Sequence, residues 1–319
     1  MARSVLRRLV ALGISVALLT GCGAVNGGEA SPTPEPVADT ASARTVQESE
    51  AATAFELLKE LDEARRKRDC AKVLFLTTSA ASELGGRACE ATRNGRPVPA
   101  PVAYGDVDYF LPDRAVERPW FVALARKPQP SYFVFAYEED RWRLAYGPVR
   151  LAGREPGLDA DEVTRAVPTE DPEDGLRARL VPQKHLAFLS DRFGLTGVRF
   201  VSGDPMRNLL TELVKKPATV RPDRLSYDVQ LVPEDTRALG VEGGGALVFH
   251  AIKIIYTQKA RSRRLTHPLF GADALRAFTG GADRAVIHVT EVVSLATKVA
   301  PDGRLTTVAM SRGLADITR

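Results

Sequence analysis

The stretch Ser131 to Ala145, SYFVFAYEEDRWRLA, decides the fold class. Its first eight residues are dominated by aromatic and β-branched side chains, the composition of a strand. Glu138-Glu139-Asp140 then breaks the apolar run and reads as the turn of a hairpin. In the return segment, Trp142, Leu144 and Tyr146 fall on one face and Arg141 and Arg143 on the other, the alternation of a half-buried antiparallel strand. Upstream, Val102 to Leu111 and Trp120 to Arg126 have the same character and are set apart by Pro, Asp and Glu clusters, so an antiparallel sheet is predicted.

Helices precede this sheet. In TVQESEAATAFELLKELDEARRKRD, Thr45 to Asp69, the residues Ala51, Phe55, Leu58 and Leu61 recur at spacings of three and four with charges opposite, which predicts an amphipathic helix. Arg65-Arg66-Lys67-Arg68 falls in its last turn, where positive charge suits the helix dipole; contact with lipid headgroups is the alternative use. A shorter helix is predicted over Ala71 to Leu84, with Gly85-Gly86 as its C-cap.

The order of elements repeats after a Pro-, Gly- and acid-rich connection, residues 151–175, which reads as a solvated linker and domain boundary. Its acids lack the regular spacing of a calcium loop. Leu176 to Phe193 is partly helical, with Pro182 interrupting or starting the helix. Asp204-Pro205 supplies an N-cap and a first-turn proline for a helix through Leu209, Leu210, Leu213 and Val214. Strands follow at Leu225 to Val232, Ala246 to Gln258, Ala285 to Val299 and Leu305 to Met310. The predicted class is α+β, with two domains (45–150 and 176–319), each of helices packed on a curved antiparallel sheet. This succession, together with the aromatic hairpin, resembles the cone-shaped fold shared by nuclear transport factor 2, ketosteroid isomerase and the cystatins. No active-site motif of the isomerase aligns, so the resemblance implies a fold and no catalytic residue.

The N-terminus sets where the protein works. Arg3, Arg7 and Arg8 precede an apolar run from Leu9 to Leu19, too short for the roughly 20 residues a membrane span requires, and Gly21 offers a cleavage point. This is a signal peptide, residues 1–21. The Arg7-Arg8 pair leaves Sec and twin-arginine export both open. Leu19-Thr20-Gly21-Cys22 resembles the lipobox of bacterial lipoproteins at all four positions. That resemblance implies cleavage before Cys22, lipid on its sulfur and retention at the outer face of the cell membrane, with more than one acyl chain for stable anchoring. Gly23 to Arg44 carries no aromatic residue and reads as a flexible tether of roughly 25 Å. Arg far outnumbers Lys, as in GC-rich genomes, and the whole chain resembles actinobacterial membrane lipoproteins of tandem α+β domains.

Removing the three leader arginines from the formal charge of +4 leaves +1, which gives no footprint for nucleic acid. After lipidation of Cys22, Cys70 and Cys89 remain as an even pair in an oxidising compartment, where a disulfide is expected to contribute about 3 kcal/mol. A catalytic thiol would need a histidine partner, and the nearest in sequence is His185.

The four histidines, His185, His250, His267 and His288, show no metal-binding spacing. His250 and His288 sit on two long strands and would be neighbours if those strands paired suitably, giving a two-histidine metal site; isolated core or surface histidines are the alternative. Gly243-Gly244-Gly245 precedes a strand where a phosphate loop would open a helix, and so reads as a turn. Glu291 interrupts the apolar face made by Ile287, Val289, Val293, Leu295 and Val299. It is either paired with a cation, exposed at a bend, or the acid of a ligand pocket. With no G-x-S-x-G or S-x-x-K motif, the sequence points to a non-enzymatic binding module for an envelope protein or small apolar ligand, needing no cofactor. A hydrolase or isomerase with its site in one cone is the alternative.

Overall fold

The computed structural model describes residues 44–114, 118–158, 164–168, 170–191, 194–281 and 283–319. The predicted signal peptide, Cys22 and the tether through residue 43 lie outside the described residues, as do 159–163 and 169 of the predicted linker.

The aromatic hairpin forms as the sequence predicts. β3 (Ser131–Glu138) pairs antiparallel with β4 (Arg141–Arg150), and Glu139 and Asp140 turn between them with φ of 49° and 60°. Two positive φ angles give the turn that matches strand twist in a two-residue hairpin. With β1 (Gly105–Phe110) and β2 (Trp120–Lys127), these strands make a sheet in the order β1-β2-β3-β4. One detail differs from the simple alternation. The register slips twice, between Tyr132↔Val149 and Val134↔Tyr146 and again between Val134↔Tyr146 and Phe135↔Leu144, so β4 carries an extra residue at each step. Across the second bulge the side chains change face. Leu144 and Trp142 stay with the helix-facing core, whereas Tyr146 joins the opposite one.

The predicted N-terminal helix is two, α1 (Glu48–Phe55) and α2 (Leu57–Lys67), jointed at Glu56. Arg68 ends α2 in the left-handed region. The next prediction fails at its end. α3 (Cys70–Phe75) is short, and α4 (Ser79–Arg93) runs straight through Gly85-Gly86. Gly85 is there for proximity: a Cβ on it would lie 2.8 Å from Val73 Cγ1, so its absence lets α3 close on α4. The Cys70–Cys89 disulfide joins the same two helices, with Cα atoms 5.6 Å apart.

The C-terminal half contains α5 (Asp174–Arg179), α6 (Val181–Ser190) and α7 (Pro205–Thr219), followed by β5 (Arg224–Leu231), β6 (Arg237–Gly240), β7 (Ala246–Lys259), α8 (Gly271–Thr279), β8 (Val286–Val299) and β9 (Leu305–Thr318). Pro182 lies in the first turn of α6, and Asp204 Oδ1 accepts from Met206 N at 2.8 Å to cap α7. The second sheet is antiparallel in the order β5-β7-β8-β9, with β6 also on β7.

The protein is thus α+β, with two domains of helices packed on antiparallel sheets, and the sheets are stacked. Val122, Leu124, Tyr132 and Val134 of the first sheet pack with Leu247, Phe249, Val292 and Ala309 of the second. Alternate residues Phe121, Phe133 and Phe135 face α1–α4, while Val248, Ile254, Val289 and Leu295 face α6–α8. Burial on both faces explains why β3 and β7 read as nearly continuous apolar runs. Through this shared cluster the described residues from Arg44 to Arg319 form one compact unit. The predicted solvated linker is partly embedded: Leu151, Leu158 and Ala166 bridge Ala309, Val241 and Leu239, and Leu158, Thr164 and Val167 are buried. Leu158 and Val167 cover apolar core that a solvated segment would leave open.

Candidate functional site

Glu291 takes the paired state. Its side chain is 5% exposed, with Arg312 Nε donating to Oε1 and Nη2 to Oε2, both at 2.9 Å. Tyr256 donates to Oε2 at 3.0 Å. Arg312 also bridges Glu212 on α7, at 2.6 and 3.0 Å, and Glu212 binds Lys216 at 2.9 Å. Two carboxylates therefore share two cations. The bonds from Arg312 hold Glu212 down to about 2, and burial pushes the Tyr256 hydroxyl well above its ordinary value. The network ties β7, β8 and β9 to α7.

Pairing of β7 with β8 does not bring His250 to His288. His250 stands opposite Leu295, whereas His288 stands opposite Thr257, seven residues further along β7, or roughly 23 Å at strand rise. His288 Nδ1 lies 3.1 Å from Thr257 Oγ1. His250 instead meets His185 of α6, ring centroids 4.7 Å apart, and both are buried. His185 Nδ1 bonds Val181 O at 2.9 Å, while neither ring nitrogen of His250 has a well-aligned partner. Burial lowers both, His185 to about 4, so the pair is neutral in the folded protein at pH 7. Among the described residues no group of three His, Cys, Asp or Glu side chains is placed to hold a metal ion.

Gly243, Gly244 and Gly245 form a turn with φ of 77°, 94° and 90°. A Cβ on Gly245 would come 2.2 Å from Val299 O, so close backbone approach explains this glycine.

A concave, largely apolar surface lies elsewhere, between the α1–α2 arm and the segment entering β1. A cleft of about 560 Å³ is walled by Phe55, Leu58, Val102, Tyr104, Val107 and Tyr109. This volume falls within the range of small-molecule sites. Its floor is aromatic: Phe55 contacts Tyr109, Phe133 and Phe135 at centroid distances of 6.1, 5.5 and 6.1 Å, and Tyr104 rests against Phe133 at 4.7 Å. Asp62 Oδ2 accepts from Val102 N at 3.1 Å and pins the 101–104 segment to α2. Glu56, Lys59, Asp62, Glu63 and Arg66 make a charged rim. Burial raises the hydroxyls of Tyr104 and Tyr109 above their ordinary values. The lining offers apolar walls, stacking faces and a polar edge, and no Ser, Cys or His is part of it.

A polar cluster occupies the meeting point of both sheets and the start of α4. Thr78 Oγ1 donates to Glu138 Oε2 at 2.7 Å, and Arg237 Nη2 is 3.6 Å from Glu138 Oε1. Glu234 Oε1 accepts from Ala251 N at 3.1 Å. The other polar ends, Tyr146 Oη, Glu234 Oε2 and Arg237 Nη1, are buried without well-aligned partners. Burial pushes Glu234 up to about 7. Ser79, whose φ is 47°, opens α4 within reach of Glu234.

Residues 44–316, most of the chain and nearly all of the described fold, match the family described as Domain of unknown function (DUF8094). The chain belongs to the DUF8094 family. Searches of curated proteins and of solved structures returned no match. The cleft and the polar cluster of this DUF8094 protein both fall within the matched span. The sequence marked Phe55 and Leu58 as helix core and Tyr109 as strand, but not that they share a wall. The Pro-rich run RPVPAPVAY, Arg96 to Tyr104, carried the signal: extended residues without a strand partner, between a helix and an edge strand.

Proposed function

We propose that this protein is a lipid-anchored, extracytoplasmic binding module that holds an apolar ligand, a small molecule or an apolar segment of an envelope partner, in the cleft beside α2. The observation that carries this reading is a solvent-open cleft walled by Phe55, Val102, Tyr104 and Tyr109 and backed by Phe133, with no Ser, Cys or His in its lining. Anchoring rests on the complete Leu19-Thr20-Gly21-Cys22 pattern and on the tether after it. No helix among the described residues is long and apolar enough to cross a membrane, so the lipid on Cys22 supplies the attachment in this reading. Glu291 and His250 then serve the fold.

The test is titration with a solvatochromic naphthalene dye. Val102 is 37% exposed, so Val102→Asp places a charge in the cleft without disturbing the core. Dye binding should fall about tenfold or more in that variant, in keeping with the cost of desolvating a charge. Equal binding by wild type and variant would remove the cleft from consideration.

A second reading, a hydrolase, has one observation in its favour: Ser79 near Glu234, with Tyr146 Oη and Arg237 Nη1 buried without well-aligned partners behind it. A fluorophosphonate probe should then label Ser79 and spare Ser79→Ala; an unlabelled wild type rejects this reading.

A further inference from the structure

Behind α2, on the other side of the 97–104 segment from the cleft, lies a smaller cavity of about 210 Å³. Its apolar walls come from Val73 of α3, Leu84 and Ala88 of α4, and Leu314 of β9. Two guanidinium groups reach it, Arg65 and Arg96, and they differ in one respect. Arg65 is compensated by Asp62 at 3.4 Å. Arg96 has the carbonyl of Leu314, to which Nη2 donates at 3.3 Å, and the face of Phe278 at 5.2 Å, but no carboxylate among the described residues. Burial lowers its pKa from the ordinary arginine value, with no acid offsetting it.

A half-buried cation without a counter-charge is costly, and one beside an apolar cavity is a recognition device for a molecule with both characters. The size is informative: an apolar cavity of about 150 Å³ holds benzene, so this one takes a ring or short branched chain bearing one small polar group. We infer that the cavity is a second ligand site, separate from the cleft, for a small amphipathic carboxylate whose apolar body lies against Leu84, Ala88 and Leu314 and whose carboxylate pairs with Arg96. Gly313 makes room for it. A Cβ there would lie 2.6 Å from Leu84 Cδ2 and push that side chain into its neighbours. Nothing in this inference depends on the cleft being occupied.

The experiment uses the intact protein, with benzoate as probe and benzamide as its neutral isostere, read by isothermal titration and ligand-observed NMR. Benzoate should bind about tenfold or more tightly than benzamide, the value of a charge-assisted pair over a neutral contact. Arg96→Gln should remove that advantage and leave benzamide within about twofold, while Arg96→Lys keeps part of it. Ala88→Met, which fills the cavity from α4, should abolish both. Circular dichroism melts establish that each variant is folded; if Arg96→Gln is not, the Arg96→Lys and Ala88→Met comparisons decide. Equal affinity for the two probes, benzoate binding insensitive to Arg96 or Ala88, or no binding at millimolar concentration would each overturn the inference.

Discussion

The buried pair His185 and His250 gives the fold an acid-sensitive core, and the effect can be sized. His185 is wholly buried and its pKa falls from 6.5 to about 4 because burial disfavours the charged ring. A proton therefore binds the unfolded chain more readily than the folded one between pH 6.5 and 4. Stability is intact above the unfolded value and is lost as pH falls. From these two pKa values His185 alone costs almost nothing at pH 7, about 2 kcal/mol at pH 5 and about 3 kcal/mol at pH 4. For a folded unit of this size, that is roughly 4–6 °C in melting temperature at pH 5. Other groups titrate in the same window. Glu234, raised to about 7, gains stability as pH falls toward the ordinary carboxylate range, and Glu212, held at about 2, loses it at lower pH. Both remain in His185→Gln, so the comparison cancels them. In thermal melts at pH 7, 5.5 and 4.5 the melting temperature of wild type should fall relative to that of His185→Gln on acidification, whatever their offset at pH 7. A melting-temperature difference that stays constant across this range would refute the assignment of a neutral, buried His185.

The Arg312 network should prove asymmetric: Arg312→Leu leaves Glu291 buried without its cation and should cost about 3–5 kcal/mol, whereas Glu291→Gln should cost about 1.5–3 kcal/mol, both read by denaturant unfolding. Neither is expected to alter dye binding at the cleft. Reduction of Cys70–Cys89, or Cys70→Ala with Cys89→Ala, should lower stability by about 3 kcal/mol, and non-reduced peptide mapping should find the two cysteines linked. Cys22→Ala should abolish palmitate incorporation and release the protein from the membrane fraction; unchanged labelling would end the lipoprotein reading.

Local chemistry was legible in the sequence wherever neighbours decide the outcome. The Glu139-Asp140 turn, the Asp204 cap with Pro205 and the long strands β7 and β8 all follow from short-range pattern, and so does the apolar face interrupted by Glu291. What escaped depends on contacts distant in sequence. Gly85-Gly86 looks like a helix end, yet α3 packing on α4 carries the helix onward. The bulge in β4, which turns Tyr146 away from Leu144, is set by pairing with β3. β6 is four residues long and held by β7, so it has no periodicity of its own to announce it, and α8 went unread as well. The stacking of the two sheets was hinted at only by the unbroken apolar character of β3 and β7. The site residues fared likewise: Glu291 could be picked out, but its partners Arg312 and Tyr256 are 21 and 35 residues away. The cleft joins α2 to a run of prolines that has no secondary structure to mark it.

The proposed role is tested most directly by purifying the full-length protein from its native cells, as wild type and as Val102→Asp, and identifying what travels with each by native and denaturing mass spectrometry. The account predicts an apolar ligand or apolar partner segment, in stoichiometric amount, with the wild type and its depletion by about tenfold in the variant. Identical profiles from the two preparations would contradict it.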